Sequence, residues 1–308
     1  MRASQRAFFS DLLDYAGLFP PAQLPLDTSL GNYLRYRGEP ESWLLARFIC
    51  PAGRLRELQP YVDEQVSGRS PLRLSALFRG GDAPGAFLDN LQKDVEATAR
   101  FRDVLGPAVA LECLEAPLPA ITPEDLEGLL TSTSDALAAQ ELSELARFYE
   151  LPATADWHRA ADTSAALGRG GLKLRCGGAS PAAIPSVAQV ANAVGACLAT
   201  KVPLKFTAGL HHPMRHIDPA LGGHTHGFLN LFAAGILGAA LGLQQDDLMA
   251  VIAEEDAGQF AFADDSFTWR DAKVTVNEIA QARRQHVISF GSCNFDEPRD
   301  GLRELGHI

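Results

Sequence analysis

Leu172-Lys173-Leu174-Arg175-Cys176 and, after a helical interval, Leu204-Lys205-Phe206-Thr207 are the runs that decide the fold. Both alternate apolar and cationic residues with the two-residue period of a strand. Between them Ser180 and Pro181 supply helix-start chemistry, and Ser186 to Thr200 carries apolar residues at helical spacing. Strand, helix, strand at this length is a βαβ unit, so the two strands are parallel. Parallel sheets are covered on both faces. An ionisable residue in mid-strand therefore points either at the covering helices or into a central cavity. Lys173, Arg175 and Lys205 share one parity, and we take that shared face as the working one.

The same alternation extends outward in both directions. Strands are predicted at Leu44–Cys50, Leu72–Phe78, Ala108–Leu114 and Ala146–Leu151 before the central unit, and at Phe260–Ala263 and Val287–Gly291 after it. Helical sequence follows each: Leu55–Val66, Ala86–Val104, a helix opened by Thr122-Pro123-Glu124-Asp125, Ala155–Leu167, the apolar Phe228–Leu243, Val274–Arg284 and a short Pro298–Leu305. Eight strands, each followed by a helix, is the count of a (β/α)8 TIM barrel. A doubly wound sheet would carry a Gly-rich first turn, and none follows Cys50. We therefore expect a barrel over 43–308, preceded by an N-terminal helical extension over 1–42 with helices at Gln5–Tyr15 and from Thr28 or Ser29 to Tyr36.

Composition narrows the function classes. The 308-residue chain is 46% hydrophobic and has a formal net charge of −11, which argues against nucleic acid or an anionic membrane as partner. Five widely spaced cysteines without a CxxC pair, and no basic segment leading into an apolar stretch, point to reduced thiols in the cytoplasm. The apolar run 227–243 is short for a bilayer span and must be covered, either by the chain itself or by a second copy in a homo-oligomer. Only five of the 27 basic residues are lysines, and two of these lie in predicted strands. That placement suggests a need for the amine itself, since only lysine readily loses its proton or forms an imine.

In a barrel, chemistry belongs at the carboxyl ends of the strands. Lys205, on the sixth predicted strand, resembles the imine-forming lysine of the class I aldolase-type barrels, including the pyruvate-dependent lyases and deoxyribose-phosphate aldolase, which carry it on that strand. The resemblance covers the later strands and this one position. It implies a lyase acting on a small anionic carbonyl compound, without a cofactor. In that reading Lys205 forms the imine and Lys173 depresses its pKa. Arg175 grips a carboxylate or phosphate, while Glu112, Glu150, His211 or His212 moves protons. Thr207, Asp264, Ser292 and the Gly177-Gly178 turn line the substrate.

Two other readings stay open. His211, His224 and His226 fall in a long loop after Thr207, and with Asp264 they form an alternative ligand set for a divalent metal such as zinc in an isomerase or hydrolase. Alternatively, the strand cations pair with acids as a polar plug in a non-catalytic binding or assembly protein.

Overall fold

A computed structural model describes residues 1–65, 70–120, 123–168, 170–178 and 180–308, without the side chains of 63–65 and 123–124. The predicted end of one helix at Val66 and the predicted cap at Thr122 lie outside the described residues. Eight parallel strands close a barrel: β1 (Leu13–Tyr15), β2 (Leu45–Pro51), β3 (Leu72–Leu77), β4 (Val109–Pro117), β5 (Ala146–Leu151), β6 (Gly171–Arg175), β7 (Leu204–Thr207) and β8 (Val287–Ser292). Each pairs with its sequence neighbour, and β8 closes on β1.

The alternation in β6 and β7 is read out as expected. Leu172, Leu174, Leu204 and Phe206 are buried against the helical shell, and Phe206 meets Phe232 of the helix Phe228–Leu241 edge-on at 5.6 Å. Lys173 and Lys205 are register partners on the opposite, interior face. The connecting helix, Val187–Thr200, starts at a Ser186–Gln189 capping box, whereas Pro181–Ala183 forms only a 3-10 turn. With that turn the helical stretch Pro181–Thr200 is long and apolar enough to cross a membrane. Its Val190, Ala191 and Val194 are buried in the shell of the barrel.

The strand count needs two corrections. The predicted helix Gln5–Tyr15 stops at Phe9, because Ser10 is extended and Asp11 takes a φ of +50°. Leu13–Tyr15 then enters the barrel as its first strand, so the barrel begins inside the stretch expected to be a helical preface. Phe260–Phe262, predicted as a barrel strand, instead pairs antiparallel with Ser266–Trp269, and that strand pairs with Ala272–Thr275. A turn this short returns the chain beside itself and cannot make the crossover a parallel partner needs. The apolar face of this small sheet packs on the N-terminal helix, with Phe262 5.3 Å from Phe8 and 5.2 Å from Phe9. One strand gained early and one lost late preserve the total of eight. All strands between them move up by one, so Lys173 lies on the sixth strand and Lys205 on the seventh.

The apolar helix is covered by its own chain. Phe228 through Gly238 are buried, and a Cβ on Gly235 would lie 2.3 Å from Val287 Cγ1, so glycine lets the helix approach β8 closely. The face that suggested a second copy is thus already filled.

Candidate active site

Inside the barrel the charges form one continuous chain of alternating sign. At its centre Glu115 of β4 bridges the two lysines, with Oε2 2.6 Å from Lys173 Nζ and Oε1 bonded to Lys205 Nζ. Lys205 also holds Asp14 of β1 at 2.7 Å, and Lys173 holds Glu150 of β5 at 2.9 Å. Toward the carboxyl ends of the strands the chain finishes with Arg175, whose Nε is 3.0 Å from Glu150. Toward the amino ends it continues from Asp14 to Arg47 at 3.3 Å, from Arg47 to Glu112 at 2.8 Å, from Glu112 to Arg73 at 2.6 Å, and from Arg73 to Asp11. Ser75 and Ser289 donate hydroxyl hydrogen bonds to Glu115 and Asp14.

Burial and charge set the protonation of this chain. Glu115 and Asp14 are 0% exposed, Lys205 1% and Lys173 4%, while the Arg175 side chain at the mouth is 53% exposed. Burial works against the charge on Lys205, but Asp14, the Cys113 sulfur and Glu115 outweigh it and hold its pKa above the usual lysine value. Lys173 is raised in the same way, with burial opposed by Glu115 and Glu150. Burial likewise disfavours the Glu115 anion, and the two ammonium groups overcome it, holding that carboxyl well below the usual range. Asp14 and Glu150 are lowered too, against burial, by Lys205 with Arg47 and by Lys173 with Arg175 respectively. The expectation that Lys173 depresses the Lys205 amine is therefore overturned at rest, because the carboxylates between and beside the two amines reverse the sign.

The other predicted residues divide by position. Glu112 lies at the opposite end of the barrel from the mouth, between Arg47 and Arg73. The ladder slips where Leu74 opposes Leu111 but Ser75 opposes Cys113, so a bulge lets Glu112 and Glu115 both turn inward at different depths. Thr207 is at the mouth beside Arg175, its register partner. Ser292 also ends its strand, but its hydroxyl is engaged with the Asn294 backbone. Gly177 allows two strand-end loops to meet, since a Cβ there would lie 2.7 Å from Gly209 Cα, and a Cβ on Gly178 would strike Ala183 at the same distance. Asp264 is exposed in the turn of the small antiparallel sheet and not at the end of a barrel strand.

The histidines are dispersed among separate partners. His211 pairs with Glu297 at 2.7 Å and His224 with Glu255 at 2.9 Å. His226 is buried with Nε2 2.7 Å from the Pro185 carbonyl, and His212 packs edge-on to His216 at 4.5 Å. Burial, then the neighbouring His216, lowers the His212 pKa. The alternative metal ligands His211, His224, His226 and Asp264 are thus not gathered, and among the described residues no group of three or more His, Cys, Asp or Glu is placed to hold a metal.

Neither Asp14 nor Glu115 stands among the site residues expected from the sequence. The available signal for Asp14 was the Leu-Asp-Tyr alternation, which a three-residue strand barely expresses.

No protein-family model and no curated protein matches the chain. Solved structures do. The apo form of a putative deoxyribose-phosphate aldolase from Toxoplasma gondii superposes with a TM-score of 0.51 at 11% identity, over 98% of this chain and 96% of that one. Deoxyribose-phosphate aldolase from Aeropyrum pernix follows at 0.43 and 10% identity, covering 69% of this chain and 86% of that one. A citrate lyase from Burkholderia xenovorans gives 0.41 at 12% identity, covering 92% and 95%. The first of these likenesses supports a shared (β/α)8 barrel over nearly the full length of both chains.

Proposed function

We propose that the chain is a cytoplasmic lyase of the aldolase type, acting through an imine on a small carbonyl compound that bears a carboxylate or phosphate. The observation that carries this reading is the pair Lys173 and Lys205 on adjacent strands, sharing buried Glu115 directly below Glu150 and the exposed Arg175. The corrected strand count favours Lys173 as the nucleophile. It occupies the sixth strand, where the aldolase-type barrels carry that residue, and it is one ion pair nearer the mouth than Lys205.

Both amines are charged at rest, so the substrate must help release one. Its anionic group competes for Arg175 and draws that guanidinium from Glu150. Freed of one cation, Glu150 accepts a proton from Lys173, and the neutral amine adds to the carbonyl carbon. Glu150 returns the proton to the carbinolamine hydroxyl, which leaves as water, and the product is a protonated imine. That cation draws in the electron pair of the bond between its α and β carbons as Glu150, ionised again, takes the proton of the β-hydroxyl, so that the β carbon leaves as an aldehyde. The enamine left behind is protonated on carbon by Glu150 and hydrolysed by water, which frees Lys173. Glu115 remains ionised throughout, between the iminium and the Lys205 ammonium. The cost of drying such charges is met by keeping them in one satisfied chain.

The full pairing of the buried groups also favours a second reading, a non-catalytic protein with a polar plug. Borohydride reduction in the presence of small oxo-acids and phosphorylated aldehydes, followed by intact mass, separates the two. The lyase reading predicts a substrate-dependent adduct that disappears in Lys173→Met. No adduct with any member of such a panel leaves the plug standing.

A further inference from the structure

One sizeable concavity lies away from the mouth. A cavity of about 580 Å³ opens at the amino-terminal end of the barrel, between the helices Ala3–Phe9 and Val276–Gln285. Its walls carry Arg6, Arg47, Arg73, Arg283 and Arg284 against one carboxylate, Asp11. The size is that of a small-molecule site.

The arginines are not equally occupied. Arg47 and Arg73 share Glu112, and Arg73 also holds Asp11. Arg283 is buried, and its N–H groups donate to backbone carbonyls, those of Phe8, Ser10, Asp11, Val287 and Ile288. Those bonds satisfy its N–H groups and leave its charge uncancelled. Arg6 stacks over Trp43 at 4.7 Å, and Arg6 and Arg284 are exposed. Among the described residues neither lies within ion-pair distance of a carboxylate. Three guanidinium groups in excess on one concave wall, in a chain of net charge −11, mark a local reversal of sign. Guanidinium planes favour oxyanions that accept two parallel hydrogen bonds. One negative charge would leave most of the excess unmatched, so the fitting ligand carries several.

We propose that this cavity binds a small polyanion of the diphosphate or tricarboxylate kind, and that its occupancy is felt at Lys205. Arg47 lines the cavity and also grips Asp14 at 3.3 Å, and Asp14 grips Lys205 at 2.7 Å. An anion that draws on Arg47 leaves Asp14 more strongly committed to Lys205. This site stands apart from the lyase reading and does not depend on it.

Calorimetric titration with pyrophosphate and with citrate tests it on the native chain, on the Arg6→Ala/Arg284→Ala double variant and on Arg175→Ala. The expected result is one equivalent bound by the native chain, binding at least tenfold weaker in the double variant, and unchanged binding in Arg175→Ala. Whichever probe binds more tightly distinguishes the phosphate from the carboxylate source. Native-like binding in the double variant, loss of binding in Arg175→Ala, or no binding of either probe at millimolar concentration would overturn the proposal. In lysine-labelled protein the Lys205 side-chain resonance should move on saturation with the tighter probe. Saturation without that movement would refute the link to Lys205.

Discussion

The two ends of the barrel use the same residue types to opposite effect. At the carboxyl end Lys173, Lys205, Glu115 and Glu150 are matched one against another and nearly dry, with only Arg175 well exposed. At the amino end guanidinium groups outnumber carboxylates around an open cavity. Proximity of cations therefore does not by itself make a reactive amine. What decides is how many carboxylates are interleaved with them and how little water reaches the pair.

The largest effect expected from this contrast is at the dry centre. Glu115→Ala leaves two buried ammonium groups short of their common partner and should cost about 3–5 kcal/mol in urea denaturation. The same experiment on Glu112→Gln at the amino end should cost only about 1 kcal/mol, because the amide oxygen still accepts a hydrogen bond and Arg47 and Arg73 keep Asp14 and Asp11 as partners. Equal losses would erase the distinction between the two ends.

Acid should next expose the same centre. Glu115, Asp14 and Glu150 have folded pKa values below their unfolded ones. The unfolded chain therefore takes up protons first as pH falls. The stability these groups confer is complete above an unfolded carboxyl pKa of about 4 and is lost below it. Lys173 and Lys205 are shifted upward, so their contribution is complete below about pH 10 and is lost as pH rises through the folded values. Denaturation curves across pH should be nearly flat between these limits as far as this cluster is concerned, with an acid limb that is shallower in Asp14→Asn.

The smallest effects on stability are predicted for the exposed arginines. Arg175→Ala and Arg284→Ala should each change it by no more than about 0.5 kcal/mol. They should nevertheless separate by function. Arg175→Ala lowers reductive trapping at least tenfold under the lyase reading, and Arg284→Ala leaves trapping without added polyanion unchanged.

Much of this arrangement is legible in the sequence. The βαβ unit, the barrel, and the shared parity of Lys173, Arg175 and Lys205 follow from two-residue alternation, which a parallel strand under a helical shell enforces; that this face turns inward is given by the closed barrel. The count failed where that signal is weakest. Leu13–Tyr15 is three residues long and continues the apolar spacing of the preceding helix, so only the backbone reversal at Asp11 reveals it. Phe260–Phe262 alternates convincingly, but periodicity carries no information about which sheet a strand joins. The bulge in β4 likewise lets Glu112 and Glu115 both face inward, against simple alternation. Charge state was the least legible feature, since the sign of the lysine shift depends on Asp14 and Glu115, contributed by strands distant in sequence.

The presence of only five lysines makes the central claim directly observable. Side-chain NMR of protein labelled at lysine Cε, followed from pH 8 to 12, should show Lys173 and Lys205 still protonated where exposed lysines have lost half their charge. Either of the two titrating below the exposed set would mean that a depressed amine, and not a carboxylate-locked ammonium, occupies the centre of the barrel.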